Sequence, residues 1–145
     1  MPEFKDETPP QPSSYSEAVT NNVRVEVEAE HVPQRVIANT LSLAGQWLFH
    51  YTVRITNEGD ETVQLLSRHW IITHGNGRTE EVKGPGVVGE QPVLAPGESF
   101  QYTSRCQLST PKGSMRGTYQ MVSEDGTYFD VEIAPFTLHE VYTVH

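Results

Sequence analysis

Apolar and polar residues alternate at a period of two through most of the chain. In residues 23–30 valine and alanine occupy one face, and arginine and glutamate occupy the other. This pattern predicts a strand with one buried face and one face in solvent. Residues 47–56 repeat it with the aromatic and β-branched residues that strands favour. No long stretch has the 3.6-residue period of an amphipathic helix, so the pattern predicts an all-β chain.

Turn sequences divide the rest of the chain into further short strands. Gly, Pro, Asn and Asp cluster at 57–60, 95–98 and 124–126, where they favour tight turns. Residues 63–74 are apolar on both faces in places, as expected of a central strand in a sandwich. About seven short strands at this spacing predict an antiparallel two-sheet β-sandwich. The remaining predicted strands are 99–105, 114–122 and 127–133.

Asn76-Gly77 is the strongest short hairpin signal in the chain. A type I′ turn needs positive φ at both central residues, and these two residue types tolerate it. A two-residue loop at this point sets the register of the flanking strands and places Trp70 opposite Lys83. The other pairs that it implies are His74 with Thr79, Ile72 with Glu81, and Ile71 with Val82.

The N-terminal residues 1–22 include a polar, proline-rich stretch at 8–14. Its apolar surface is too small for burial to offset the entropy lost on ordering. The composition therefore predicts a flexible N-terminal tail over residues 1–22. The segment 35–45 mixes signals, and no element is assigned to it.

Length and charge limit the classes of function. A chain of 145 residues fits one domain with a core of its own. Nineteen acidic and ten basic side chains give a formal charge of -9, which disfavours nucleic acid and anionic membrane as partners. No apolar stretch approaches the roughly 20 residues of a membrane span, and the N-terminus lacks the order of a signal peptide. We therefore expect a cytoplasmic protein that binds neither nucleic acid nor membrane.

Residues that carry chemistry are few. The single cysteine, Cys106, excludes an intrachain disulfide and a thiolate metal cluster, and we interpret it as a small apolar core group. None of the six histidines has a partner at metal-site spacing; His69 and His74, five apart on a strand, point to opposite faces. No signature of paired catalytic carboxylates or of a Ser-His-Asp set is present. The sequence predicts a non-enzyme with no metal and no cofactor.

Residues 84–89 match Gly-x-Gly-x-x-Gly, the fingerprint of a dinucleotide-binding loop. The fingerprint needs a helix that opens at its third glycine, whereas Pro92 and Pro96 keep the following chain extended. One interpretation is a type II turn with Pro85 and Gly86 as its central pair. The other is a candidate binding loop, in which free amides near Gly84, Gly86 and Gly89 converge on a phosphate and Lys83 supplies charge.

The local charge favours the turn. Between residues 78 and 90 three glutamates outnumber the two cations, Arg78 and Lys83, so a phosphate would meet a net negative neighbourhood. A second candidate site is an interaction surface that includes Arg68 and Trp70, because tryptophan with arginine is typical of binding hot spots. The alternative is that Trp70 belongs to the core and Arg68 is a solvated edge residue.

The chain resembles the ApaG family in three stretches. They are Arg-His-Trp-Ile-Ile at 68–72, Gly-Pro-Gly-Val-Val-Gly-Glu-Gln-Pro at 84–92, and Met-Arg-Gly-Thr-Tyr-Gln-Met at 115–121, the last followed by Phe-Asp-Val-Glu-Ile at 129–133 and Pro-Phe at 135–136. The resemblance covers residues 23–138. It implies an ApaG-like domain over those residues, with a C-terminal extension at 139–145.

The resemblance implies a fibronectin type III-like sandwich and says little about activity. Bacterial members of the family are linked to cobalt and magnesium tolerance, and the related eukaryotic domain is attached to F-box and polymerase-interacting proteins. That reuse points to a non-catalytic protein-interaction module whose link to metal ions is indirect. We expect a protein partner and a monomer or weak homodimer. The alternative is a module that binds a nucleotide or polyphosphate, such as a diadenosine polyphosphate or pyrophosphate, through residues 84–89.

Overall fold

A computed structural model describes residues 14–33 and 45–141. Within those ranges the chain forms nine β-strands and no helix. The strands pair antiparallel in two sheets around one core, so the predicted all-β sandwich is confirmed. In chain order the strands are β1 (Tyr15–Thr20), β2 (Val23–His31), β3 (Trp47–Asn57), β4 (Val63–His74), β5 (Thr79–Pro85), β6 (Val93–Leu94), β7 (Ser99–Leu108), β8 (Lys112–Ser123) and β9 (Tyr128–His139).

One sheet has the strand order β1-β2-β3-β7, and the other has the order β5-β4-β8-β9 with β6 paired to β4. Alternate residues of each sheet point inward and form a continuous apolar core. Two of these strands, β1 and the two-residue β6, were not among the seven predicted from the sequence. The largest fully buried side chains are Tyr119, Phe49, Phe136, Ile55 and Leu65.

A one-residue irregularity in β4 explains why residues 63–74 look apolar on both faces. Val63 and Leu65 are buried, and then Trp70, Ile72 and His74 are buried, so the inward parity changes from odd to even. The register between β4 and β8 shifts between Leu65 and Ser67, which identifies a β-bulge at this point. A bulge inserts one unpaired residue and so moves the following side chains to the opposite face.

The predicted register of the β4–β5 hairpin is wrong by one residue. Trp70 pairs with Val82, and Lys83 pairs with His69. The predicted pairs of His74 with Thr79, Ile72 with Glu81 and Ile71 with Val82 are replaced by Thr73 with Thr79, Ile72 with Glu80 and Ile71 with Glu81.

The cause is a third loop residue, Gly75. The Gly77 N–H donates to the His74 carbonyl at 2.9 Å, and the His74 N–H donates to the Arg78 carbonyl at 2.8 Å. Gly77 has φ +90°, whereas Asn76 does not have positive φ. The loop therefore fits a type I turn followed by a glycine bulge, and not a type I′ turn. The Gly75 N–H donates to the Thr110 hydroxyl at 2.7 Å, a contact that local sequence signals do not contain.

The prediction of a flexible tail up to residue 22 is wrong for residues 15–20, which form β1 along β2. The Ser16 hydroxyl donates to the Ala134 carbonyl at 2.8 Å, and the Thr20 hydroxyl accepts from the Glu132 N–H at 3.1 Å. β1 thereby links the edge of the first sheet to β9 of the second. Asn21 and Asn22, with φ of 49° and 64°, turn the chain into β2. Residues 1–13 of the predicted tail lie outside the described residues.

The last described residues are bound to the sandwich. The Glu140 N–H donates to the Pro111 carbonyl at 2.8 Å, and the Trp47 indole N–H donates to the Glu140 carboxylate at 3.1 Å. The Val141 N–H donates to Nδ1 of His31 at 3.3 Å. The predicted extension at 139–145 thus begins with residues that contact the fold. Residues 142–145 lie outside the described residues, and so do residues 34–44, which include most of the unassigned segment 35–45.

The His31 contact makes stability depend on pH. Burial lowers the pKa of His31; the Glu140 carboxylate opposes this effect and His139 adds to it. The unfolded chain therefore binds more protons than the native state near the pKa of His31. We expect this contribution to stability to be complete above pH about 6.5 and to decrease as the pH falls from there towards the lowered native pKa.

The measurement is urea unfolding of the unmodified chain and of His31→Asn between about pH 5 and 8. Asparagine can retain an acceptor for the Val141 amide and does not titrate in this range. The unmodified chain should lose more stability than His31→Asn below pH about 6.5. Parallel stability curves for the two proteins would contradict the assignment to His31.

Candidate functional site

Residues 84–90, the glycine loop, continue the β4–β5 ladder and then form a tight turn. The Gly86 N–H donates to the Leu66 carbonyl at 2.8 Å. Val87 and Glu90 exchange two backbone hydrogen bonds of 2.8 and 2.9 Å. Val88 and Gly89 between them have φ of 42° and 82°, which identifies a two-residue type I′ turn.

The predicted type II turn at Pro85 and Gly86 lacks its hydrogen bond, although Gly86 has the positive φ, +61°, that it required. A type II turn would direct the Val87 N–H to the Gly84 carbonyl, but this N–H donates to Glu90. Val88-Gly89 gives no local signal for a type I′ turn, because valine is not a residue that such turns favour.

Backbone hydrogen bonds engage three of the loop amides that a phosphate site could use. The N–H groups of Gly86, Val87 and Glu90 all donate to carbonyls of the fold, whereas an anion nest needs free amides that converge. The predicted cation, Lys83, is exposed and lies opposite His69 on the sheet. Gly84 faces Arg68 on the neighbouring strand.

Arg68 holds the glycine loop by its carbonyl groups. Its Nη1 donates to the Pro85 carbonyl and to the Gly86 carbonyl, each at 2.9 Å. The guanidinium lies against Gly84, where an added Cβ would be 3.0 to 3.2 Å from the guanidinium atoms. Hydrogen bonds from a charged donor are stronger than neutral ones. Arg68 therefore acts as a clamp on the loop.

Trp70 belongs to the core and not to an interaction surface. It is 3% exposed, and its ring makes edge-on contacts with Tyr51, Tyr119 and Phe136 at centroid distances of 5.3, 6.4 and 6.0 Å. Such aromatic contacts stabilise a core beyond the area that they bury. The predicted surface of Arg68 and Trp70 is thus wrong, because one residue clamps a loop and the other is buried.

Two tyrosine hydroxyls meet in the core near Arg68. Tyr102 of β7 and Tyr119 of β8 are 2.5 Å apart at their hydroxyl oxygens. Burial raises the pKa of both groups, and the Arg68 charge opposes this effect. Both hydroxyls therefore stay protonated at neutral pH and satisfy each other across the two sheets.

Cys106 is buried, as the sequence predicted. Burial, aided by the Glu80 charge, raises the pKa of its thiol to about 12, so the nucleophilic thiolate is scarce at neutral pH. Within residues 14–33 and 45–141, no group of three or more His, Cys, Asp or Glu side chains could hold a metal ion.

His74 is buried, and its structural role was not predicted from the sequence. Its Nδ1 accepts from the Ser109 N–H at 3.1 Å and lies 3.0 Å from the Ser109 hydroxyl, while Glu80 lies 3.5 Å from its Nε2. The imidazole is 3% exposed, so it fastens the β4–β5 hairpin to the β7–β8 turn. Only tertiary structure reveals this contact, because 35 residues separate His74 from Ser109.

Among residues 14–33 and 45–141, the strands close one side of the sandwich and leave the other side open. β1 and β9 close one side through the Ser16 and Thr20 hydrogen bonds, and β5 and β7 are the edge strands of the opposite side. Along an antiparallel ladder, hydrogen-bonded residue pairs alternate with pairs that are not hydrogen-bonded. The Asn57 N–H donates to the Glu98 carbonyl, so the backbone groups of Glu98 and of every second residue after it point towards β3. The groups that point away from β3 belong to Ser99, Gln101, Thr103, Arg105 and Gln107.

The alternation of hydrogen-bonded pairs also shows which backbone groups of β5 point away from β4, since the Gly86 N–H donates to the Leu66 carbonyl. They belong to Thr79, Glu81, Lys83 and Pro85, and proline lacks the N–H. Two concavities on the outer face of the first sheet lie mainly over β1, β2 and β3, and each includes one residue of β7. One of 510 Å³ includes Thr103, and one of 260 Å³ includes Gln101.

Comparison with known proteins agrees with the resemblance noted in the sequence. Residues 38–123 match the family model of the ApaG domain. The chain belongs to the ApaG family. Protein ApaG of Anaeromyxobacter dehalogenans (strain 2CP-C) is 54% identical over 123 residues, which cover 85% of this chain and 94% of the relative. Protein ApaG of Bradyrhizobium sp. (strain ORS 278) is 55% identical over 122 residues, which cover 83% and 90%.

A crystal structure of an ApaA protein from Bordetella pertussis has the same fold. It superimposes with a TM-score of 0.75 at 48% identity, covering 90% of this chain and 98% of that one. The three stretches that resemble the ApaG family lie together in space: β4 carries the first, β8 beside it carries the third, and Arg68 clamps the second. The described part of the chain contains no helix long and apolar enough to cross a membrane.

We expect Gly86→Ala to destabilise the fold by about 2 kcal/mol or more, because it combines two costs. Positive φ costs an L-residue roughly 1–2 kcal/mol, and the new Cβ would lie 2.3 Å from the Glu90 carbonyl oxygen. Gly89→Ala is the matched control: φ is +82° there, but nothing lies within 4 Å of the Cβ. Urea unfolding should rank Gly86→Ala as clearly the less stable variant, and equal stabilities would contradict the close approach of Gly86 to Glu90.

We also expect no saturable binding of diadenosine tetraphosphate, ATP or pyrophosphate at millimolar ligand, because hydrogen bonds within the fold engage the Gly86, Val87 and Glu90 amides. Calorimetric titration and the thermal midpoint check this, since a ligand that binds only the native state raises its stability. Lys83→Ala should behave like the unmodified chain. Micromolar binding that Lys83→Ala abolishes would establish the phosphate site instead.

Proposed function

We propose that this ApaG-family chain is a cytoplasmic, non-catalytic protein-interaction module that binds an extended segment of a partner protein along β7. Any link to cobalt or magnesium tolerance would then act through that partner. The observation that carries the proposal is the edge of β7, which no other described strand pairs and where the backbone groups of five residues point away from β3. An added strand can satisfy such groups by pairing with the edge.

The two edge strands of the open side differ in how well they would accept a strand. β7 has ten residues, no proline and one charged residue, Arg105. β5 has seven residues, and Lys83 and Pro85 occupy outward positions on it. Lysine and proline on an edge hinder the addition of another strand. The contrast supports β7 as the binding edge.

The side chains around β7 indicate the chemistry of the segment. On the outer face Arg54 lies opposite Gln101, and Arg105 lies opposite His50. Neither arginine has an ion-pair partner among the described residues. On the inner face Phe100 is half-buried against the core. A matching segment would alternate acidic residues, which face the arginines, with apolar residues, which extend the core.

The two buried side chains best suited by type to catalysis, Cys106 and His74, are poorly placed to act on a substrate, which supports a non-catalytic role. Cys106 has a raised pKa and is buried. Nδ1 of His74 accepts the Ser109 amide inside the fold. A catalytic base must reach a substrate proton in a cleft, and the buried ring of His74 is enclosed by the hairpin and the Ser109 turn.

The test is selection of ten-residue peptides from a displayed library on the unmodified chain. The selected peptides are then measured by fluorescence polarisation against Gln101→Pro and Lys83→Pro. Each proline removes one outward N–H without removing a ladder hydrogen bond, so the two variants are matched on opposite edges. We expect Gln101→Pro to weaken binding about tenfold or more and Lys83→Pro to leave it unchanged.

Amide exchange provides the second measurement. Bound peptide should protect the N–H groups of Gln101, Thr103 and Arg105, which face away from β3 in the free chain. If the selected peptides bind Gln101→Pro as tightly as the unmodified chain, β7 is not the edge that binds them. Failure to select any peptide would also contradict strand addition at β7.

A further inference from the structure

Val88 at the tip of the glycine loop has a backbone conformation that valine disfavours. Its φ is +42°, and a β-branched residue with positive φ is an outlier. The other non-glycine residues with positive φ in the described chain are Asn21 and Asn22, of a type that tolerates it. Asparagine or glycine would therefore suit the turn better than valine does.

Packing gives no reason for this valine. Val88 is 55% exposed, whereas the preceding Val87 is 1% exposed. The turn buries one valine in the core and projects the next into solvent. Strain that the fold does not need is found most often at functional sites. Contacts within the folded chain therefore do not account for a valine at position 88, whereas a contact with another molecule would.

Hydrogen bonds hold the loop around Val88 in place, and the loop carries few charged residues of its own. Arg68 holds the carbonyls of Pro85 and Gly86, and the Gly86 N–H is bonded to Leu66. Glu90 is the only charged residue between positions 84 and 95. A side chain that is already fixed loses little conformational entropy on binding, which is the property of an effective anchor.

We propose that Val88 is an apolar anchor that enters a shallow apolar pocket on the partner protein, with a basic residue of that protein at the pocket rim facing Glu90. This inference rests on the proposed function, because it assigns a second contact to the same partner. The loop follows β5, which borders the open side of the sandwich together with β7. Interfaces combine an apolar buried centre with a polar rim, and Val88 beside Glu90 has this arrangement on a small scale.

Two variants of Val88 separate strain from contact. Val88→Asn should relieve the backbone and raise Tm by about 3 °C. Val88→Thr keeps the branched shape, so its Tm should stay close to that of the unmodified chain. Val93→Asn is the control: Val93 is 57% exposed but does not have positive φ, so its Tm should not rise. A fall in Tm for Val88→Asn would overturn the strain argument and with it the proposal.

Binding is tested with the unmodified chain, Val88→Thr, Val93→Asn and Gln101→Pro as baits in the soluble lysate of the organism that encodes the protein. A protein retained by the unmodified chain is purified, and its Kd for each bait is measured by calorimetry. We expect Val88→Thr to weaken binding about tenfold or more and Val93→Asn to leave it unchanged. Equal Kd values for the unmodified chain and Val88→Thr would overturn the anchor.

The outcomes also distinguish this inference from the proposed function. Loss of binding with Gln101→Pro but not with Val88→Thr would retain strand addition and remove the anchor. The reverse result would remove strand addition at β7 and retain the anchor. Retention of no protein by the unmodified chain would overturn both.

Discussion

The extra residue in β4 determines which side chains of this central strand enter the core. The bulge between Leu65 and Ser67 reverses the inward parity, so that Trp70 and His74 face the opposite sheet. The Leu66 carbonyl accepts from the Gly86 N–H at 2.8 Å and from the Gln91 side-chain amide at 2.9 Å. Core packing and the position of the glycine loop thus depend on one irregular position in a strand.

Close backbone approach on the other side of β4 reinforces this arrangement. Gly117 of β8 pairs with Trp70, and a Cβ on Gly117 would lie 2.1 Å from the His69 carbonyl oxygen. Only glycine allows β8 to approach β4 so closely. Tyr119, two residues further along β8, reaches the core and its hydroxyl meets that of Tyr102. The two sheets are therefore connected through the same short part of β4 and β8.

Local patterns in the sequence were sufficient for the fold class and for most strands. Period-two alternation located β2 and β3, and the bounds of β4 were correct. The errors came from contacts that are distant in sequence. The Thr110 hydroxyl draws Gly75 into the hairpin loop and shifts its register by one residue. Hydrogen bonds to β9 help to hold β1, which composition alone assigned to a flexible tail.

The candidate site was harder to predict for a different reason. The pattern Gly-x-Gly-x-x-Gly indicates which positions can adopt positive φ, but it does not indicate the direction in which the backbone N–H groups point. The resemblance located the three important stretches, yet residue types alone could not reveal that Arg68 turns towards the Pro85 and Gly86 carbonyls. Trp70 looked equally suited to a surface and to a core because the bulge that buries it leaves no local signal in the sequence.

The closed side of the sandwich has a consequence for the opposite edge. β1 is the first described strand and β9 is the last; the Ser16 hydroxyl donates to the Ala134 carbonyl and the Thr20 hydroxyl accepts from the Glu132 N–H, which holds the two strands together. Both strands therefore lie on the side opposite β5 and β7. The same hydrogen bonds that close one side of the sandwich leave pairing at the β7 edge on the other side to chain segments outside residues 14–33 and 45–141.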